Sequence, residues 1–174
     1  MGTGIIVCGL NGSGKSTLGK ALAQATGFHF IDNENLYFTR ASADSPYANP
    51  RSKVEVEALL LREIVAHRDF VFASVRGNYG DEVGKFYDYA VLIEVPKEIR
   101  MQRVHNRSFQ KFGDRILPGG DLHQAEAQFW EMVAARTDAY VEDWVRSLQC
   151  PVIRVDGTLP IEENVRFILQ KTSE

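Results

Sequence analysis

Residues 9–16 read Gly-Leu-Asn-Gly-Ser-Gly-Lys-Ser, a set of types and spacings suited to holding a chain of phosphates. Glycine lets the backbone wrap closely enough for successive N–H groups to face an anion. The motif follows the apolar run Ile5-Ile6-Val7-Cys8 and opens into a helix-forming segment from Ser16 to Gln24. The start of that helix adds unpaired N–H groups and a partial positive charge. Lys15 is then expected at the β- and γ-phosphates and the Ser16 hydroxyl on Mg²⁺. Gly9, Asn11, Gly12, Ser13, Gly14, Lys15, Ser16 and Thr17 are the expected nucleotide contacts. A plain glycine-rich turn would account for the glycines but not for the Lys-Ser pair in register. The sequence therefore predicts a protein that binds a nucleoside triphosphate.

Charged residues elsewhere suggest what is done with it. Arg100, Arg103 and Arg107 fall at i, i+3 and i+7, on one helical face, and none of positions 96, 99, 104 and 111 is acidic. A cationic stripe of this kind suits a transferred phosphoryl group, whose negative charge is spread over several oxygens. Arg115 lies farther on, in a Gly-rich stretch. Asp32 stands at the carboxyl end of an expected strand, the edge where open parallel sheets bind ligands. It could order water around Mg²⁺, accept the proton of an attacking hydroxyl, or simply cap the next turn. Glu34 could contact the same acceptor. Arg76, beside Gly77, is either an anion clamp or a surface arginine. Arg136, one helical turn before Tyr140, is either a second clamp or a partner of Asp138 or Glu131. Arg51, after Tyr47-Ala48-Asn49-Pro50, is a further acceptor-side candidate. His29, His67, His105 and His123 are scattered and read as structural, Trp130 and Trp144 as core, and Cys8 and Cys150 as ordinary free cysteines.

Short apolar runs alternate with longer helical stretches, which points to an α/β chain with a mainly parallel sheet. The expected strands are Phe28-Ile31, Phe70-Ala73, Ala90-Ile93 and Val152-Val155, besides Ile5-Cys8. Leu18, Leu22 and Ala25 mark one stripe of the first helix, which Gly27 ends. Ser52-Lys53-Val54-Glu55 is a capping box for a helix reaching about His67. Pro96 suits the first turn of a helix from Lys97 to Asn106. Residues 108–120 lose periodicity and end in Pro118-Gly119-Gly120, which predicts a mobile loop. Asp121 with Gln124 suggests a cap for a long helix, or a helix pair, reaching Leu148. Ile161, Val165, Ile168 and Leu169 define a final amphipathic helix. A polar segment runs from Thr39 to Pro50, and no linker divides the chain, so residues 1–174 read as one domain.

The net charge of −3 argues against a general nucleic-acid or membrane-surface role, and no apolar run is long enough to span a bilayer. The beginning Met1-Gly2-Thr3-Gly4 lacks a signal-peptide pattern, and with two unpaired cysteines this predicts a cytoplasmic setting.

The order of these parts resembles the P-loop nucleoside monophosphate kinase superfamily over nearly the whole chain. Phe30-Ile31-Asp32-Asn33-Glu34 is similar to the F-x-D-x-D of shikimate kinases, and Arg136-Thr137-Asp138-Ala139-Tyr140 to an R-x-x-x-Y substrate segment. Val155-Asp156-Gly157-Thr158 resembles the loop that holds adenine with backbone groups. Glu34 replaces the second Asp, Ser74-Val75-Arg76-Gly77 replaces a glycine triplet, and no Asp closes the third strand. The resemblance implies a three-layer P-loop NTPase fold with a five-stranded parallel sheet in the order 2-3-1-4-5 and helices on both faces. It also implies an acceptor-binding insertion at about 33–68 and a lid at about 107–121. The implied activity is transfer of the γ-phosphoryl of ATP, with Mg²⁺, to a small acceptor: a nucleotide, a nucleoside or an anionic metabolite. Lys15, Asp32, Arg103 and Arg107 are the expected catalytic residues and Gly157 an adenine contact. Asp32, Glu34, Arg51, Arg76 and Arg136 would take the acceptor, and Ser16 and Asp32 the metal. The alternatives are an ATP-dependent switch without an acceptor, or a kinase of nucleic-acid ends; no N-K-x-D guanine motif is present. The identity of the acceptor and the oligomeric state stay open.

Overall fold

The computed structural model describes residues 2–39 and 49–173. Five strands pair, all in parallel: β1 (Gly4–Cys8), β2 (His29–Asp32), β3 (Phe70–Ala73), β4 (Tyr89–Glu94) and β5 (Val152–Asp156). Their order is β2-β3-β1-β4-β5. Side chains alternate across a strand, and in β1 every residue is buried, so both faces of the central strand must be covered. Ile5 and Val7 pack with Val71, Val91, Ile153 and Val155 beneath helices α1 (Lys15–Thr26) and α8 (Ile161–Thr172). Ile6 and Cys8 face the other way, with Phe70, Phe72, Ala90 and Leu92. That face is covered by α3 (Lys53–Ala66) and α7 (Ala139–Val145) through Val56, Leu60, Ile64, Val141 and Val145. Each such large aliphatic side chain contributes about 1.5–3 kcal/mol on burial. The result is the three-layer P-loop fold with the implied strand order.

The remaining elements are α2 (Asn33–Tyr37), α4 (Asp81–Gly84), α5 (Lys97–Phe112), a 3₁₀ turn (Gly113–Ile116) and α6 (His123–Ala135). The capping box on α3 is formed in both directions between Ser52 and Glu55. A single antiparallel bridge, Phe38 to Pro50, draws together the two ends of the polar segment. Residues 40–48, including half of the Tyr47–Pro50 turn, lie outside the described residues.

Four expectations change. Strand β2 runs one residue later than the apolar run suggests, so that Asp32 is itself paired in register with Ala73. On α1 the buried stripe is Leu18, Gly19, Leu22 and Ala23, while Ala25 is exposed. The predicted loop at 108–120 is largely ordered: α5 continues to Phe112 and passes into the 3₁₀ turn. The exposed residues at 105–107 and 109–111, polar except for Phe109, mask the pattern, yet Val104, Ser108 and Phe112 recur at i+4 and are buried. Finally, Asp121 does not cap α6, whose first residue is His123. Its carboxylate instead accepts two hydrogen bonds from Arg115, at 3.0 and 2.6 Å, which hold its acid below the usual range.

Candidate phosphate loop and acceptor cleft

The turn between β1 and α1 is built on conformations few residues can adopt. Gly12 has φ 82°, and a Cβ there would overlap the main-chain carbonyl of Arg100. Position 12 therefore demands glycine both for its torsion and for the close passage of α5. Arg100 itself is buried, contrary to the reading of a stripe awaiting an outside anion. Its guanidinium donates to the carbonyls of Val95 (3.1 Å) and Asn11 (3.3 Å). Arg103 donates to the carbonyls of Gly12 (3.3 Å) and Gly157 (3.0 Å). Two of the three arginines thus have carbonyl partners that a search for acidic neighbours could not find, and they fasten the loop to the β5–α8 turn. Gly157 lies where a side chain would collide with Val95 and Ile93, so the turn can sit flush on β4.

Lys15 retains part of its surface, but its ammonium lies in the hollow of the loop, 3.2 Å from the Leu10 carbonyl it donates to. Loss of hydration, reinforced by the positive charge of Arg107, pulls its pKa from 10.5 down to about 8. The positive charge of Arg107 is thus felt at the loop. Ser13 is buried, and its hydroxyl has no hydrogen-bond partner among the described residues. A desolvated cation and an unsatisfied donor in one loop are a poor arrangement alone and a good one around phosphate. The triphosphate thus fits the groups present. Hard oxygen donors suited to Mg²⁺ are at hand in Ser16, in the first turn of α1, and Asp32, whose charge is felt by Lys15. Asp32 also caps α2, its Oδ1 accepting from the Glu34 N–H at 3.0 Å, which bears out the capping reading and leaves Oδ2 outside that contact.

Two cavities flank the loop. One, of about 470 Å³, is lined by Leu10, Glu94, Asp138, Glu142 and Asp156 among others. Of its acids, Glu94 and Glu142 are paired with Arg154 at 2.9 and 2.6 Å, and the Arg100 guanidinium is engaged with main-chain carbonyls. The other, of about 480 Å³, is lined by Arg76, Met132, Arg136, Thr137, Tyr140 and Asp143 among others. Arg76 stacks on the Tyr140 ring at 3.9 Å and donates to its hydroxyl at 3.1 Å. Arg136 lies over the same ring at 4.6 Å and donates to Asn11 Oδ1 at 2.8 Å. The two candidate clamps, sixty residues apart in sequence, share one aromatic platform, and one of them is tied to the phosphate loop.

The other candidates are placed as follows. Glu34 lies 3.9 Å from Lys111, which links α2 to α5. Arg51 donates to the Leu36 carbonyl at 2.7 Å and so braces α2. Thr17 is exposed on the first turn of α1. Sequence reasoning left Tyr140 out of the candidate set, although its spacing from Arg136 was the available signal. It also missed Tyr79, whose hydroxyl donates to Asn33 at 2.6 Å beside Asp32; nothing local reports that contact. His29 and His67, read as separate, stack on one another at 3.7 Å.

Comparison with known proteins agrees with this architecture. The chain is similar over 98% of its length to a shikimate kinase from Aquifex aeolicus (TM-score 0.61, 18% identity, 96% of that chain). A gluconokinase from Sinorhizobium meliloti 1021 matches 95% of this chain and 87% of its own (TM-score 0.55, 22% identity). A sugar kinase from Janibacter sp. HTCC2649 matches 98% and 94% (TM-score 0.56, 15% identity). At these identities the likeness is one of fold. In sequence, the chain is 26% identical over 177 residues to the Bacillus subtilis (strain 168) protein YqaC, described as uncharacterized, with 97% of each covered. Residues 5–131, from the first strand through most of α6, match the family described as AAA domain. The phosphate loop, the sheet order and that match together make this chain a P-loop protein that belongs to the AAA domain family.

Proposed function

We propose that the protein is a kinase that moves the γ-phosphoryl group of ATP onto a small acceptor bearing an anionic group. The observation that carries this reading is the pair of guanidiniums of Arg76 and Arg136 on the Tyr140 ring, bonded to the phosphate loop through Asn11. A bare ATPase or switch has no need of a cationic cleft of about 480 Å³ beside its triphosphate. The kinase names of the structural relatives support the same reading.

In this mechanism the loop amides from Gly9 to Thr17 and the Lys15 ammonium hold the β- and γ-phosphates. Ser16 and Asp32 would hold Mg²⁺, which would supply positive charge to the phosphates. Gly157 approaches the adenine. Arg76 and Arg136 grip the acceptor's anion, and Glu34 and Arg51 keep α2 facing it. The acceptor hydroxyl oxygen bonds to the γ-phosphorus as the bond to the β,γ-bridging oxygen breaks. Its proton passes to Asp32, and ADP leaves. Arg107, supported by Arg103, meets the charge that develops on the transferred group. Segment 107–121, the end of α5 with the 3₁₀ turn and the residues after it, serves as the lid over this site.

The test is incubation of the protein with ATP, Mg²⁺ and pooled metabolites, read by mass spectrometry. One anionic compound should gain a phosphoryl mass, and the Lys15→Ala protein should produce none. If no compound gains mass and ATP is hydrolysed slowly without stimulation by any of them, the switch reading replaces this one.

A further inference from the structure

Far from the phosphate loop, three potential ligands meet at the other end of the sheet. His29 opens β2 and is in register with Phe70 and, one strand on, Gly4, whereas Asp32 is in register with Ala73 and Val7. The strand rise of about 3.3 Å per residue puts roughly 10 Å between those two rows. Glu63 and His67 lie one turn apart at the end of α3, His67 serving as its C-cap. His29 Nε2 is 3.0 Å from Glu63 Oε2, and the His29 and His67 rings stack at 3.7 Å with 15° between their planes. One donor atom from each of the three residues lies within 4.8 Å of the others.

We infer that His29, Glu63 and His67 form a binding site for a borderline transition-metal ion of the Zn²⁺, Co²⁺ or Ni²⁺ class, separate from the Mg²⁺ of the nucleotide. Two imidazoles with one carboxylate favour these ions, whereas Mg²⁺ and Ca²⁺ prefer oxygen donors alone. Ligand atoms at about 2.1 Å on a tetrahedral ion stand roughly 3.4 Å apart. Side-chain rotation that opens the ring stack is enough to reach that spacing, because Glu63 and His67 already share one helical face. His67 is exposed and His29 and Glu63 are each about one-third exposed, so an ion has an entry path and room for water as a fourth ligand. An ion here cross-links the edge strand carrying Asp32 to the helix that follows the acceptor-side segment.

The experiment uses tag-free full-length protein stripped with chelator, titrated with Zn²⁺ by calorimetry without nucleotide. One equivalent should bind with micromolar or tighter affinity, survive millimolar Mg²⁺, and raise the melting temperature. The exposed His67→Ala change should weaken binding at least tenfold while leaving the melting temperature in chelator unchanged. Glu63→Gln should act in the same direction, and Ser16→Ala should leave binding intact. Absence of stoichiometric binding, binding that persists in the His29→Ala/His67→Ala protein, displacement by Mg²⁺, or loss in Ser16→Ala would each overturn the assignment.

Discussion

The candidate nucleotide side of the site is formed mainly by backbone, whereas the proposed acceptor side is formed by side chains from distant parts of the chain. Around Gly12 the main chain of the loop touches the main chain of α5, and Arg100 and Arg103 grip carbonyls on either side. Such a construction tolerates almost no change of residue but constrains the ligand only to be a polyphosphate. Across the loop, Arg76, Tyr140 and Arg136 come from the β3 exit and from the α6–α7 junction and α7 itself. Of these, Arg136 alone is bonded to the loop, through Asn11, so the proposed acceptor side touches the loop by a side chain and not by its backbone. Rigidity thus belongs to the donor and selectivity to the receiver.

The sharpest way to break this contrast is Gly12→Ala. Left-handed torsion and overlap with the Arg100 carbonyl together should cost about 3 kcal/mol or more of stability, with ATP binding lost as well. A protein that melts normally and binds ATP would show that the loop is less constrained than its packing implies. A smaller and one-sided effect is expected from Arg136→Ala. Removing one charged hydrogen-bond donor costs about 2 kcal/mol, so acceptor KM should rise roughly thirtyfold while ATP affinity, by equilibrium dialysis, changes little. Equal losses for both ligands would erase the division of labour.

The smallest effect is a pH dependence confined to the donor side. The unliganded Lys15 loses its proton near pH 8, below its ordinary 10.5, and phosphate favours the charged form. ATP affinity should therefore be full below pH 8 and fall by up to tenfold per unit above it. Calorimetry near pH 8.5 in buffers of different ionisation enthalpy should register proton uptake on binding. Without ligand the sign reverses: between about 8 and 10.5 the unfolded chain holds more protons on this residue, so its contribution to stability rises with pH. ATP affinity that stays flat from pH 7 to 9.5 would show that the ammonium is not desolvated.

How far the sequence reaches follows the same division. The loop, the buried strands and the Ser52 capping box are written in neighbouring residues, so spacing alone located them. The proposed acceptor cleft depends on contacts between residues tens of positions apart: the sequence set Tyr140 beside Arg136 but gave no sign that Arg76 shares its ring. Arg100 and Arg103 show the same limit differently. Their stripe was legible, but their partners are main-chain carbonyls, which no residue type announces. The end of α5 was hidden by charged residues around its sparse i+4 stripe. The contact of His29 with His67 needed the sheet edge and the end of α3 to be brought together.

The hydrogen bond from Arg136 to Asn11 has one more consequence. Under the proposed function it spans the boundary between the two binding events, so ordering one would order part of the other. Reciprocity then requires that whatever factor ATP adds to the acceptor's affinity, the acceptor adds to that of ATP. A substrate pair coupled in this way acts as its own proofreader: the donor is held most firmly when something is present to receive its phosphate, and water gains least from the reactive state.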